Sequence, residues 1–333
     1  MRIVLCYPVE AAHIARITAA APPDAEIIDA GQEGIAEALF EADIFCGHAK
    51  VPVDWDGVVR RGRLRWIQSS AAGMDHCLVP SVIESDIVVT SASGVLADQV
   101  AEHTLALLTA WTRQLPVFFR AQQRKAFIRR PTRDLTGATV GIAGFGGVGR
   151  RVAEVLAPLK TRLLAVDMFP TRRPPQVECV LPADALDGLL PELDVLVLCL
   201  PLSELTRGMF DRARLGRMKP GSLLANMARG PLVVHDDLVS ALREGPLAGA
   251  VMDVTDPEPL PPESPLWEMP QVIITPHVGG QAAWRIDRMT ELFCRNLRRW
   301  QAGLPLINYL SDKRLGFPIR GGGYPVWGEP EAT

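Results

Sequence analysis

With 333 residues, 48% of them hydrophobic, the chain is too long for one small core and suits two domains that can both be filled. A formal net charge of −3 provides no global field that would gather nucleic acid or an anionic membrane, so an anionic substrate has to be met by local cations. The start MRIVLCYPVE falls far short of a signal-peptide core, and no segment nears the ~18 apolar residues of a membrane span. A soluble cytoplasmic protein is the expectation, with neither nucleic acid nor membrane as partner.

Short β-branched runs alternate with helical patterns from the first residues: IVLCYP at 3–8, EIID at 26–29, DIFCG at 43–47, LRWIQS at 64–69 and IVVTSA at 87–92. Strands at this spacing with helices between them predict a parallel, doubly wound sheet. The stretch from Gly94 to Gln123 then carries apolar residues at spacings of three and four, which predicts one long helix leading into a second domain.

A second series follows, with TVGIAGF, LLAVD at 163–167, VLVLCLP at 195–201, GSLLANMA at 221–228, AGAVMDV at 248–254 and QVIITP at 271–276. These runs are nearly continuous in Val, Ile and Leu, as expected of strands buried on both faces. The amphipathic segment 282–303, closed by Gly303, predicts a helix that returns the chain to the first domain. Beyond Leu310 the sequence is rich in Gly and Pro, and a loosely packed extension is expected, with Tyr324 and Trp327 available to dock on a neighbour.

The six cysteines have no CxxC spacing and sit in apolar stretches, so buried free thiols and no metal are expected. Cys77 alone lies near a candidate site, with nothing adjacent to activate it.

Gly144, Gly146 and Gly149 follow a strand and open the helical pattern RRVAEVLAPL. In that setting the first glycine makes a tight turn and the second lets backbone approach a pyrophosphate. The third packs helix on strand, and the N–H groups of the helix start face the phosphates. Eighteen residues past Gly149, at the end of the next strand, Asp167 is placed to accept from ribose hydroxyls and to repel a 2′-phosphate, which favours NAD over NADP. Arg172 and Arg173, just downstream, are the groups that would instead reach such a phosphate.

Hydride transfer to a carbonyl needs a proton donor and a cation that polarises the carbonyl. Three strand ends supply such groups: Arg229 in NMARGPLV, Glu258 in DVTDPEPLP and His277 in IITPHVGG, where Gly279 and Gly280 leave room for a ligand. Arg229 is suited to a bidentate carboxylate contact. A contact from Glu258 would favour the protonated imidazolium of His277.

These motifs, with WIQSSAAGMDH at 66–76, VAEHTLALL, LCLPLSELTRGMF and DVTDPEPLPPESPLW, resemble in order and spacing the D-isomer-specific 2-hydroxyacid dehydrogenases, which include glyoxylate/hydroxypyruvate reductases and phosphoglycerate dehydrogenases. The resemblance covers most of residues 60–305. It implies a Rossmann cofactor domain (98–285) inserted into a flavodoxin-like substrate domain (1–97 and 286–333), with the active cleft between them. It implies NAD as cofactor, Arg229 holding the substrate's carboxylate and carbonyl, His277 as acid/base and Glu258 as its partner.

The same resemblance assigns Asp253 to the nicotinamide end, and Gly147, Val148, Met227 and Ala228 to backbone contacts with the cofactor. It sets the N–H groups of Ser70, Ala71, Ala72 and Gly73 against the substrate carboxylate. It also implies a homodimer built on residues 98–120 and 120–135. Formate dehydrogenases of the wider superfamily carry Gln where this chain has Glu258, so hydroxy-acid chemistry is expected. A regulatory domain found on many phosphoglycerate dehydrogenases has no counterpart in the sequence, which lowers the expectation of that substrate. The expected activity is interconversion of a small 2-oxo acid and a D-2-hydroxy acid; the rival reading is a non-catalytic NAD(H)-sensing protein of the same fold.

Overall fold

The computed structural model describes residues 1–170, 173–320 and 323–328. The chain divides into two compact units, one formed by Met1–Leu96 with the described residues from Ala282 onward, the other by Ala97–Gln281.

In the first unit the five expected runs form strands β1 (Arg2–Cys6), β2 (Glu26–Asp29), β3 (Ile44–Gly47), β4 (Trp66–Ser69) and β5 (Val88–Thr90). They make one parallel sheet in the order β2-β1-β3-β4-β5, the flavodoxin-like order. Alternation along β1 sends Ile3 and Leu5 into one apolar layer and Val4 and Cys6 into the other, so both faces are covered.

The helix Arg285–Gln301 buries Met289, Leu292, Phe293, Asn296 and Leu297, a stripe at spacings of three and four, and ends before Gly303, whose φ of +65° suits a residue without Cβ. Asn296 is fully buried but satisfied: its amide donates to Gln68 Oε1 and the Ile307 carbonyl and accepts from the Ile307 N–H.

In the second unit the strands are β6 (Thr139–Ala143), β7 (Arg162–Asp167), β8 (Cys179–Pro182), β9 (Val195–Leu198), β10 (Ser222–Asn226), β11 (Leu247–Met252) and β12 (Val272–Ile274). All are parallel, in the order β12-β11-β10-β9-β6-β7-β8, so the direction of winding reverses between β6 and β9. This is the Rossmann order with one added strand, and ligands of such sheets bind beyond the carboxyl ends at that reversal. Along β9, Val195 and Val197 face one core and Leu196 and Leu198 the other, which explains the unbroken apolar run.

Three expectations need correction. The long helix is two, Ala97–Thr112 and Leu115–Gln123, separated by Gln114 at φ +55°. In a continuous helix the Pro116 ring would meet the Thr112 carbonyl, whereas at the start of a new helix it is tolerated. Strand β8 was not expected, because CVLP lies at the sheet edge, is only half-buried and ends in proline.

The described residues of the extension after Leu310, 311–320 and 323–328, are packed on their own unit rather than loose. Tyr309 bridges antiparallel to Thr90 and covers the open edge of β5. Beyond it, Lys313 Nζ donates to the carbonyls of Val82, Ser85 and Ile87, Val326 is buried, and Trp327 donates its N–H to Asn308 Oδ1 beneath the Arg295 guanidinium. Tyr324 packs on Tyr309.

Candidate active site

The glycine turn has the shape its spacing predicts. Gly144 has φ +92°, and a Cβ there would lie 2.7 Å from the Cys199 carbonyl oxygen, so only glycine fits. A Cβ on Gly149 would strike the Gly144 carbonyl oxygen, which is the close helix-to-strand packing required of the third glycine. Gly146 has open space where its Cβ would be and, as the N-cap residue of the helix Gly147–Leu156, has no side chain to cap it. Among the described residues the amides of Gly147, Val148 and Gly149 are left open to a phosphate, and the residues present fit a dinucleotide.

Asp167 closes this turn from β7. Its Oδ2 accepts from the Phe145 N–H at 2.6 Å and its Oδ1 from the Phe169 N–H at 2.9 Å. These bonds fix the carboxylate at the carboxyl end of β7 and leave acceptor capacity for ribose hydroxyls. Arg173 donates to the Val177 carbonyl at 2.9 Å, and Arg172 lies outside the described residues.

Arg229 follows β10 in extended conformation. Asn226 forms its platform, donating to the Arg229 carbonyl and accepting from the Ala228 N–H, while Arg229 Nη1 donates to the Ala228 carbonyl. The neighbouring Met227 N–H is taken by the Leu198 carbonyl, so the amides of both Met227 and Ala228 are committed within the protein. Gly230 lets this segment lie on the backbone of Thr255 and Asp256, where any Cβ would clash.

After β11, Asp253 is buried and receives four donors. Thr275 Oγ1 reaches Oδ1 at 2.6 Å, the Val278 N–H reaches Oδ1 and the Gly279 N–H reaches Oδ2 at 2.9 Å each, and His103 Nε2 lies 3.3 Å from Oδ1. Burial alone would raise this carboxyl, but the bonds from His103, Thr275, Gly279 and Val278 outweigh it and hold it below the usual carboxylate range. The Asp253 carbonyl also accepts the His277 N–H at 2.8 Å.

His277 therefore sits in a segment whose backbone Asp253 holds on both sides, and it adopts φ +54°, an uncommon state for a residue with a Cβ. Its Nδ1 is 2.7 Å from Glu258 Oε1, and both side chains are 44% exposed, so the pair is open to a ligand. Gly280 follows in the turn that the Gln281 N–H closes on the Val278 carbonyl. The carboxyl ends of β10, β11 and β12 are neighbours, and the segments that follow them carry Arg229, Glu258 and His277, of which Glu258 and His277 are in direct contact.

In the first unit, the loop Ser70–Gly73 follows β4. The expectation of four available amides is too generous: the Ser70 N–H donates to the Gly47 carbonyl and the Ala71 N–H to Ser69 Oγ, so among the described residues those of Ala72 and Gly73 alone are uncommitted. Sequence reasoning also missed His103: the helical pattern VAEHTLALL gives no sign of its contacts with Thr275 and Asp253. All six cysteines are free thiols; Cys179 and Cys199 are half-buried rather than buried, and burial pushes Cys77 well up.

A family model described as D-isomer specific 2-hydroxyacid dehydrogenase, NAD binding domain, matches residues 105–279. A glyoxylate reductase from Thermofilum pendens is 36% identical over 70% of this chain and 71% of its own. A D-isomer specific 2-hydroxyacid dehydrogenase from Xanthobacter autotrophicus Py2, solved with NADPH and MES, superimposes with a TM-score of 0.79 at 28% identity, covering 94% of this chain and 98% of that one. An NADPH-dependent glyoxylate/hydroxypyruvate reductase from Sinorhizobium meliloti, solved with NADP and sulfate, gives 0.75 at 26% identity, covering 92% and 96%.

Proposed function

The chain belongs to the D-isomer specific 2-hydroxyacid dehydrogenase family, and from that premise we propose that it reduces a small 2-oxo acid to a D-2-hydroxy acid with NADH, His277 delivering the proton. The observation that carries the reading is the Glu258–His277 hydrogen bond on the strand edge that also bears Arg229 and the glycine turn.

A bound NADH supplies the hydride that adds to the carbonyl carbon. The protein's residues do the rest. The Arg229 guanidinium holds the carboxylate and polarises the carbonyl oxygen. Glu258 accepts from Nδ1, which fixes the ring and leaves Nε2 to give its proton to the nascent alkoxide; the resulting neutral ring keeps its proton on Nδ1. Oxidation of the hydroxy acid runs through the same groups in reverse. Asp253 is assigned to the nicotinamide end, and Asp167 to the ribose with a preference for NAD over NADP.

Among the described residues no helix is long and apolar enough to cross a membrane. A cytoplasmic location and a homodimer belong to the same proposal. The dimer is supported by four exposed apolar side chains, Leu115, Phe119, Phe127 and Ile128, that fall within the span 115–128.

NADH consumption against glyoxylate, hydroxypyruvate, pyruvate and bulkier 2-oxo acids tests the reading. Turnover with at least one small oxo acid is expected. Tight NADH binding with no turnover on any of them would instead make the protein a dinucleotide sensor.

A further inference from the structure

We propose that His103, on the helix Ala97–Thr112, is a positioning residue for His277, acting as the outermost donor of a relay that holds the acid/base segment in place. It rests on the reading of His277 as the acid/base.

The direction of the relay follows from counting protons. Asp253 Oδ1 lies 2.6 Å from Thr275 Oγ1, and an ionised carboxylate only accepts, so the single hydroxyl proton of Thr275 points to Asp253. Thr275 Oγ1 then has only lone pairs left for His103 Nε2 at 3.0 Å, so Nε2 must carry the proton and donate. The same N–H faces Asp253 Oδ1 at 3.3 Å. His103 thereby orders Thr275 and Asp253 together, and Asp253 in turn takes the amides of Val278 and Gly279, the two residues after His277.

The packing agrees with the hydrogen bonds. A Cβ on Gly279 would fall 2.8 Å from Asp253 Oδ2 and 3.4 Å from His103 Cδ2, so the imidazole and the carboxylate both lie against that glycine. Only 21% of the His103 side chain is exposed, and it lies 172 residues from Thr275 in sequence. Among the described residues it makes no hydrogen bond or ion pair with Glu258 or His277; its effect passes through backbone position, where an error of an ångström is worth about 100-fold in rate.

The test compares His103→Leu, which fills similar volume without a donor, with His103→Gln, whose Nε2 can donate from nearly the same place. Each is read by steady-state kinetics and by hydrogen–deuterium exchange of the peptide covering residues 275–281. His103→Leu is expected to lower kcat by about 10- to 100-fold with little change in the oxo-acid KM, and to speed exchange in that peptide. His103→Gln is expected to restore most of both.

Wild-type kcat and wild-type exchange in His103→Leu would overturn the proposal. So would equal losses of kcat in the Leu and Gln variants with exchange unchanged. Should His103→Leu fail to fold, Thr275→Val interrupts the relay from its other side, with the same loss expected and a wild-type result again overturning it. A wild-type protein without turnover would fail the reductase reading alone, since the exchange comparison needs no activity.

Discussion

The Nδ1 of His277 lies 2.7 Å from Oε1 of Glu258, across 19 residues of chain and two strand ends. A carboxylate oxygen at that distance accepts from Nδ1 and fixes the ring so that Nε2 is the nitrogen left to donate the proton in reduction. Glu258→Gln keeps the size but replaces an acceptor-only group with an amide that can also donate to Nδ1, so the ring is no longer held in one tautomer. Its kcat for reduction should fall by about 10- to 100-fold with NADH binding retained. A wild-type kcat would show that the contact does not position the acid.

Asp253 links the site to stability. Its carboxyl is held below the usual range by bonds that exist only in the folded chain, so the stability it adds is fully present above the unfolded value of about 4 and is lost as pH falls through the folded value. Asp253→Asn should be destabilised at pH 7 by about 1–3 kcal/mol, and the gap from wild type should close only below about pH 4. Urea titrations at several pH values measure it; a gap that is the same at pH 3 and pH 7 would contradict the assignment.

Asp167 is anchored at both oxygens by the Phe145 and Phe169 amides, so its carboxylate is fixed at the carboxyl end of β7, where the proposed reading puts the adenosine ribose. The wild type should prefer NADH to NADPH in kcat/KM, and Asp167→Ala should shrink that preference by roughly tenfold or more through loss of like-charge repulsion. An unchanged ratio would move the selection of cofactor elsewhere.

The packed extension predicts a stability cost when it is removed. A chain ending at Leu310 loses the Lys313 bonds to three carbonyls, the buried Val326 and the Arg295–Trp327 contact. Its thermal midpoint should fall by roughly 5–10 °C. An unchanged midpoint would mean that these contacts contribute nothing to stability.

The expected strands were legible because a doubly buried parallel strand has to be a continuous apolar run, as in Val195–Leu198. β8 was not, since CVLP is only half-buried and ends in proline. Pro116 marked the helix break, but the periodicity on both sides of it masked the signal. The extension hid its packing because its contacts come from scattered residues such as Lys313 and Trp327 rather than from a repeating stripe.

In the site, the strand-end positions of Glu258 and His277 could be read locally, and the structure brings the two together. What could not be read locally was the bonding of the Ser70 and Ala71 amides, or the reach of His103 to Thr275 across 172 residues. Both depend on the assembled fold.

The central claim, that His277 is the proton donor of a 2-oxo acid reductase, is tested most directly by the rate of NADH-dependent reduction of the best small oxo acid in wild type and His277→Gln. A kcat about 100- to 10,000-fold lower, with NADH binding retained, is the predicted result. A variant that turns over at the wild-type rate would contradict it.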